Sequence, residues 1–368
     1  MIRFEKRGAP LALEIAAPVL AGLAAAVLTP ATLALLGYPA RSAFAVMASG
    51  AFGSGAALSA TFAMAAPLML TGLASLLSFS VRLNNLGAEG QLLGGALAVI
   101  LLGTVMARVP APLVIIIATL AGPLVGALML AGPVAMKARL GTDETVATLL
   151  LNMIALIGIA AATGTALAAI APTGAQQTFA LPAALPSSGL GMTARIAIGL
   201  MIACLVCIAA MAVTRYTVTG FVLRAIGGNP TAARFAGIPV DRIQLTVGAV
   251  SGALAGFAGA ALALGFIGGA GGITAGLGYA GIAVALLAGR WPLAVIPAAL
   301  FVAALITGTQ ALSRAAGAPL ALADIAIALT LLAAPAAAAL SRYSIRIVRA
   351  IPPAPSAPPA GSPTPNAT

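Results

Sequence analysis

The sequence has no histidine, two cysteines, one tryptophan and only seven acidic residues in 368 positions. Without histidine there is no His-based triad, no imidazole metal ligand and no imidazole proton relay. Charged residues make up 7% of the chain and hydrophobic ones 61%. Soluble domains carry about 25% charged residues, so this composition cannot clothe a water-soluble fold. The alternating, aromatic-girdled strands of an outer-membrane barrel are also missing. No G-x-x-x-x-G-K-[ST] stretch occurs, and the Gly-rich run GFIGGAGGITAGLGYAG (265–281) contains no lysine. A backbone cradle and lysine for ATP phosphates are therefore lacking. Cys204 and Cys207 are three residues apart inside an apolar run. They read as small packing residues sharing a helix face, with a metal or redox pair as the alternative. No nucleophile–base pair or metal set is visible, which leaves an intramembrane enzyme without support. No cofactor is expected.

What is present is a series of apolar runs of roughly 20 residues, each long enough to cross about 30 Å of hydrocarbon as helix. Ten candidate spans lie near 12–36, 58–80, 87–107, 112–135, 146–170, 196–214, 243–267, 277–289, 292–312 and 319–340. The expected fold is all-α, a polytopic inner-membrane bundle with both termini in the cytoplasm. The net charge of +11 marks topology, not nucleic acid. With the N-terminus inside, fourteen of the 18 Lys and Arg residues lie on the cytoplasmic side, leaving Arg41, Arg108, Arg195 and Arg314 outside. The basic and then apolar N-terminus resembles a signal peptide, but the run from Ala9 to Leu36 is too long and is broken by Glu14 and Pro18. A first membrane helix is expected there. Residues 1–350 form the transmembrane domain in this reading, and the Pro-rich 351–368 a disordered cytoplasmic tail.

The eighth span is too short to cross straight, and Gly-rich sequence precedes it. A broken or re-entrant helix against a cavity is expected. An internal echo supports this: LGAEGQLLGGALAVILLG from Leu86 and LGYAGIAVALLAG from Leu277 share Leu-Gly-x-x-Gly and a small-residue helix. By span count the first helix runs outward and the second inward, as an inverted repeat requires. Glu89 sits near the start of the third span among Gly87, Gly90 and Gln91. A carboxylate there must be paired or wetted. Either Arg82 and headgroup water solvate it at the cytoplasmic interface, or it lines a break in the pathway with Asn84, Asn85 and Gln91. A proton carrier of an ion-coupled secondary transporter is a further alternative. Thr142 is a candidate cap for the fifth span, with Asp143 and Glu144 in its first turn. Asn152, deeper in that span, is interhelical glue or pathway lining. Asp324 falls near the outer end of the last span. Gly248, Gly252 and Gly256 recur at four-residue spacing, a signature of close helix packing.

One stretch breaks the apolar pattern: GGNPTAARFAGI, residues 227–238. Asn229 is a good N-cap, Pro230 fits the first helical position and Gly237 falls where a left-handed stop belongs. A short helix over about 230–236 is expected, surrounded by Arg215, Arg224, Arg234 and Arg242. It either tidies a surface loop or docks a partner, with small Ala232, Ala233 and Ala236 allowing close approach, Phe235 as anchor and Arg234 as charge.

LRAIGGNPTAARFAGI resembles the cytoplasmic coupling segment of permease subunits of ABC importers for simple sugars, nucleosides and branched-chain amino acids. LNNLGAEGQLLGGALA (83–98), GTDETVATLLLNMIA (141–155) and GYAGIAVALLAGRWPLAVIPAALF (278–301) are similar to further segments of the same family, in the same order. The second and third stretches point towards nucleoside-type permeases paired with a basic-membrane-protein-like receptor. Asp143, where the family often has Asn, and Asn85 depart from its pattern. The resemblance implies an ABC permease subunit importing a nucleoside or related ribose-containing solute, or else a simple sugar such as ribose. It implies a cytoplasmic ATPase gripping residues 219–242, and places Arg224, Asn229, Pro230, Ala232, Ala233, Arg234, Phe235 and Gly237 in that grip. It also implies a second permease, identical or homologous, and a periplasmic or lipoprotein substrate-binding protein. Asn84, Asn85, Gly87, Glu89, Gln91, Asn152, Gly278 and Tyr279 are the expected pathway residues.

Overall fold

A computed structural model describes residues 2–6, 40–106, 108–163, 178–179, 191–265, 273–274, 276–316, 325, 328–329 and 343–347. Helices dominate. They are α1 Ala40–Phe52, α2 Gly55–Ser80, α3 Ala88–Val105, α4 Ala111–Leu140, α5 Glu144–Ala162, α6 Met192–Tyr216, α7 Val218–Gly228, α8 Pro230–Phe235, α9 Val240–Ala263, α10 Leu277–Ala288 and α11 Val295–Ala316. A short 3-10 turn, Pro292–Ala294, leads into α11. Two small antiparallel pairings accompany them: β1 Ile2–Lys6 with β4 Tyr343–Ile347, and β2 Thr178–Phe179 with β3 Ile273–Thr274.

Among the described residues, seven segments are long and apolar enough to span a bilayer: α2, α3, α4, α5, α6, α9 and Pro292–Ala315. They match seven of the ten expected spans. The expected spans at 12–36 and 319–340, Asp324 and the tail 351–368 lie outside the described residues. α10 has 12 residues, about 18 Å of helix, well short of about 30 Å of hydrocarbon. The eighth span is therefore too short to cross straight, as expected. One element is absent from the sequence reading. Residues 40–52, assigned there to an outer loop, form α1, whose Ala43 and Met47 pack on Leu305 and Leu312 of α11. Thr61 of α2 hydrogen-bonds the Ala51 carbonyl and Thr307, at 2.9 Å each. One arginine and a short length hide this helix from a span search.

The core lies among α2, α3, α9, α10 and α11, around Leu68, Met69, Leu73, Leu92, Ile100, Val284 and Ile306. By contrast α4, α5 and α6 turn large apolar side chains outward, including Leu120, Leu124, Leu128, Ile154 and Leu205. Such a surface would be untenable in water and is expected where lipid or another helix covers it. α9 packs on α4 backbone to backbone. A Cβ on Gly252 would stand 2.2 Å from the Gly126 carbonyl oxygen. The four-residue glycine spacing is close helix packing, as the sequence suggested.

A second apolar cluster joins Val81, Leu83, Leu130, Val134, Leu223, Ile226, Ala233 and Val240. It gathers the end of α2, the last turns of α4, the start of α9 and the α7–α8 segment on one side of the bundle.

Candidate functional site

The short helix at 230–235 forms where its local residues dictate. Asn229 has extended torsions, and its side-chain oxygen accepts from the Thr231 and Ala232 N–H groups at 3.0 and 3.2 Å. Pro230 occupies the first helical position, where a missing N–H costs nothing. Gly237 adopts φ +82°, which a residue bearing Cβ resists. Ala233 is buried against the second cluster. Ala232, Arg234 and Ala236 are exposed, and Phe235 is 90% exposed. Arg234 forms a salt bridge with Asp241, so its charge is partly neutralised within the segment. Arg224 donates to the Thr214 carbonyl and ties α7 to the end of α6.

The second site is a junction of helix starts. Glu89, in the first turn of α3, is 3% exposed. Its two carboxylate oxygens accept the N–H groups of Gly276 and Gly278, each at 2.7 Å. Glu89 therefore caps α10 from α3, with two positive helix ends converging on one carboxylate. The approach is possible because Gly278 lacks a side chain: a Cβ there would lie 2.3 Å from the Glu89 nitrogen. From this meeting point the helices diverge. α10 leads to Trp291, whose ring lies 5.1 Å beneath the Arg215 guanidinium at the end of α6. That end adjoins the second apolar cluster, whereas α3 runs away from it. The Leu-Gly-x-x-Gly echo thus marks the two helix starts that meet at Glu89, one opening the 18-residue α3 and the other the 12-residue α10.

Polar side chains hold this junction. Asn85 and Gln91 exchange hydrogen bonds of 3.1 and 2.9 Å, and Asn85 accepts the Gly87 N–H at 2.9 Å. Asn152 of α5 accepts the Gly90 N–H at 2.8 Å and donates to the Leu86 carbonyl and the Tyr279 hydroxyl, at 2.9 and 3.1 Å. Most of the cluster is buried, with internal partners. Tyr279 is 38% exposed.

The structure brings together Asn85, Gly87, Glu89, Gln91, Asn152, Gly278 and Tyr279. Asn84 stands apart: it is exposed, and only its backbone N–H is engaged, by Glu144 at 3.2 Å. Two expectations are corrected. Arg82 does not accompany Glu89; it donates to the Gly227 and Gly228 carbonyls, at 3.0 Å each. Thr142 does not cap α5. Asp143 does, accepting the Thr145 N–H at 2.8 Å, while the Thr142 hydroxyl is buried without a partner. That N–H, with the Thr145 hydroxyl, holds the Asp143 carboxyl below its ordinary value. Glu144 instead pairs with Lys137 at 2.6 Å. Among the described residues, no three His, Cys, Asp or Glu side chains converge as a metal set.

The family described as "Branched-chain amino acid transport system / permease component" matches residues 57–335. The guanosine ABC transporter permease protein NupP of Bacillus subtilis is 33% identical over 340 residues, covering 90% of this chain and 93% of that protein. The nucleoside ABC transporter permease protein NupB of Lactococcus lactis is 29% identical, over 72% of this chain and 75% of its own length. The glucose ABC transporter permease protein TsgB13 of Haloferax volcanii is 31% identical, over 93% and 92%. A metal-chelate type ABC transporter in an inward-facing conformation is a structural neighbour at 13% identity and TM-score 0.40, covering 88% of this chain and 96% of its own. That score is too low to add to the assignment. The apolar bundle and the extent of the match make this chain a multi-pass membrane permease subunit of ABC transporters, a member of the branched-chain amino acid transport system / permease component family.

Proposed function

We propose that this chain is the membrane conduit of an ATP-driven importer of nucleosides or related ribose-containing solutes. Permease components of ABC transporters work with an ATPase and a substrate-binding protein. In our reading the ATPase grips residues 219–242 from the cytoplasm, and nucleotide binding shifts the helices between outward-open and inward-open arrangements. The observation that carries the coupling assignment is α8, a helix specified at both ends whose apolar Phe235 is 90% exposed. An apolar anchor flanked by small residues suits a shallow groove on a partner.

The orientation rests on the cations. Arg82, Lys137, Arg139, Arg215, Arg224, Arg234 and Arg242 lie around the second apolar cluster, which we assign to the cytoplasm by their excess. Pairing of β1 with β4 supports placing both chain ends on one side. A second permease, identical or homologous, completes the pathway, and a periplasmic or lipid-anchored receptor delivers the solute. Residues 1–350 are the membrane domain and 351–368 a cytoplasmic tail. We assign the pathway to the junction around Glu89, with the part-exposed Tyr279 as its polar-aromatic surface.

Nucleosides are favoured because two of the three curated relatives carry nucleosides or guanosine by name. The glucose permease, at 31% identity, supports a simple sugar as the second reading. Uptake of labelled guanosine by cells with and without this gene, competed with other nucleosides and with glucose, separates them. Competition by nucleosides alone supports the proposal; competition by glucose alone replaces it.

A further inference from the structure

We propose that Arg82 is a transmission residue that carries movement of the α7–α8 segment into the junction where α3 and α10 begin. The inference rests on α8 being the ATPase docking element, and goes beyond it.

Arg82 stands where α2 has ended and the chain turns towards α3. Its φ is +57°, the one positive value at a non-glycine among the described residues. This conformation is uncommon for a long side chain and draws attention when the surrounding structure enforces it. Here the enforcement is visible. The Arg82 Nε and Nη2 donate to the carbonyls of Gly227 and Gly228, at 3.0 Å each. These are terminal carbonyls of α7, which lack intrahelical partners and lie at the negative end of its dipole. The planar guanidinium meets two successive acceptors at once, which a lysine ammonium does not reproduce. Backbone contact reinforces the clamp: a Cβ on Gly227 would lie 2.3 Å from the Ser80 carbonyl oxygen.

The chain on either side of this clamp is short and firmly held. After Gly228 comes Asn229, the cap of α8. After Arg82 comes Leu83, packed in one cluster with Ala233 of α8. Next, Asn85 exchanges hydrogen bonds with Gln91, and the Leu86 carbonyl accepts from Asn152. Three residues after Leu86, Glu89 holds the start of α10. Displacement of α8 thus reaches Glu89 through hydrogen bonds and backbone contacts, with Arg82 as the polar link between the two segments.

The test uses the assembled transporter with its ATPase in lipid. Hydrogen exchange is read over 276–281 with and without ATP, alongside uptake of guanosine and of glucose per ATP hydrolysed. Arg82→Asn removes the fork while tolerating the left-handed backbone. It should retain the ATPase, lose the ATP-induced change in exchange and lower uptake per ATP by about tenfold or more, since two charge-assisted hydrogen bonds are lost and each carries at least about tenfold. Arg82→Lys should recover only part. Gly227→Ala strains the same contact from the other side and should uncouple likewise, which serves if Arg82→Asn does not fold. A wild-type complex showing no ATP-induced change at 276–281, or variants that keep it, would overturn the proposal. So would loss of ATPase association in Arg82→Asn, which would make the residue part of the dock. Phe235→Glu tests the dock itself: association that survives it refutes the docking reading on which this inference rests, whereas a failed dock and a failed transmission are told apart because Arg82→Asn is read by exchange at 276–281 with the ATPase still bound.

Discussion

Replacing Glu89 by glutamine changes almost no volume and isolates what its charge does. In the native junction both carboxylate oxygens accept an N–H at 2.7 Å, from Gly276 and Gly278. Hydrogen bonds to a charged group are worth about 1.5–3 kcal/mol net, and a neutral one about 1. Glutamine keeps one acceptor but turns an NH2 group towards the other amide, which is then buried and unsatisfied. Losing one charged bond and weakening the second removes about 3 kcal/mol. Interaction with the two helix starts contributes further in the same direction. If the start of α10 opens locally, about 3 kcal/mol corresponds to about a 100-fold faster exchange of its amides. Hydrogen-exchange mass spectrometry over residues 276–281 of Glu89→Gln in lipid nanodiscs reads this directly. Exchange within about twofold of wild type would refute the capping role.

Gly278→Ala places a Cβ 2.3 Å from the Glu89 nitrogen, and the contacting atoms are backbone; the folded yield after detergent extraction should fall several-fold, by size-exclusion chromatography. Phe235→Glu should leave that yield unchanged, because the side chain is 90% exposed, while weakening ATPase association about tenfold or more in pull-down titrations. Asp143→Ala should destabilise α5 by loss of its cap. The Asp143 carboxyl is held below its ordinary value, so its stabilising effect is present at neutral pH. It disappears as pH falls through that lowered value, and melting curves of variant and wild type should converge in acid.

Much of this architecture was legible because its causes are local. Span positions follow from hydropathy, and α8 follows from Asn229, Pro230 and Gly237, each acting within one helical turn. The repeated Leu-Gly-x-x-Gly pointed to two helix starts of similar sequence, and the structure brings those two starts together at Glu89. What was hidden depends on distant partners or on small torsional choices. The amides that satisfy Glu89 lie 187 and 189 positions away, and nothing near it in sequence announces them. The nearest cation, Arg82, was the natural local partner, yet its fork reaches carbonyls 145 and 146 residues on. Thr142 and Asp143 are adjacent and both able to cap; extended torsions at Asp143 decide between them. α1 escaped notice because it has only 13 residues and carries Arg41, too short and too polar at its start for a hydropathy window of span length.

The central claim is that this chain is a conduit without an engine. Guanosine uptake into proteoliposomes should be measured for the permease complex with and without its ATPase, in the presence of ATP and then of an imposed proton gradient. The account predicts uptake only when ATPase and ATP are both present. Uptake driven by the proton gradient with no ATPase in the membrane would contradict it.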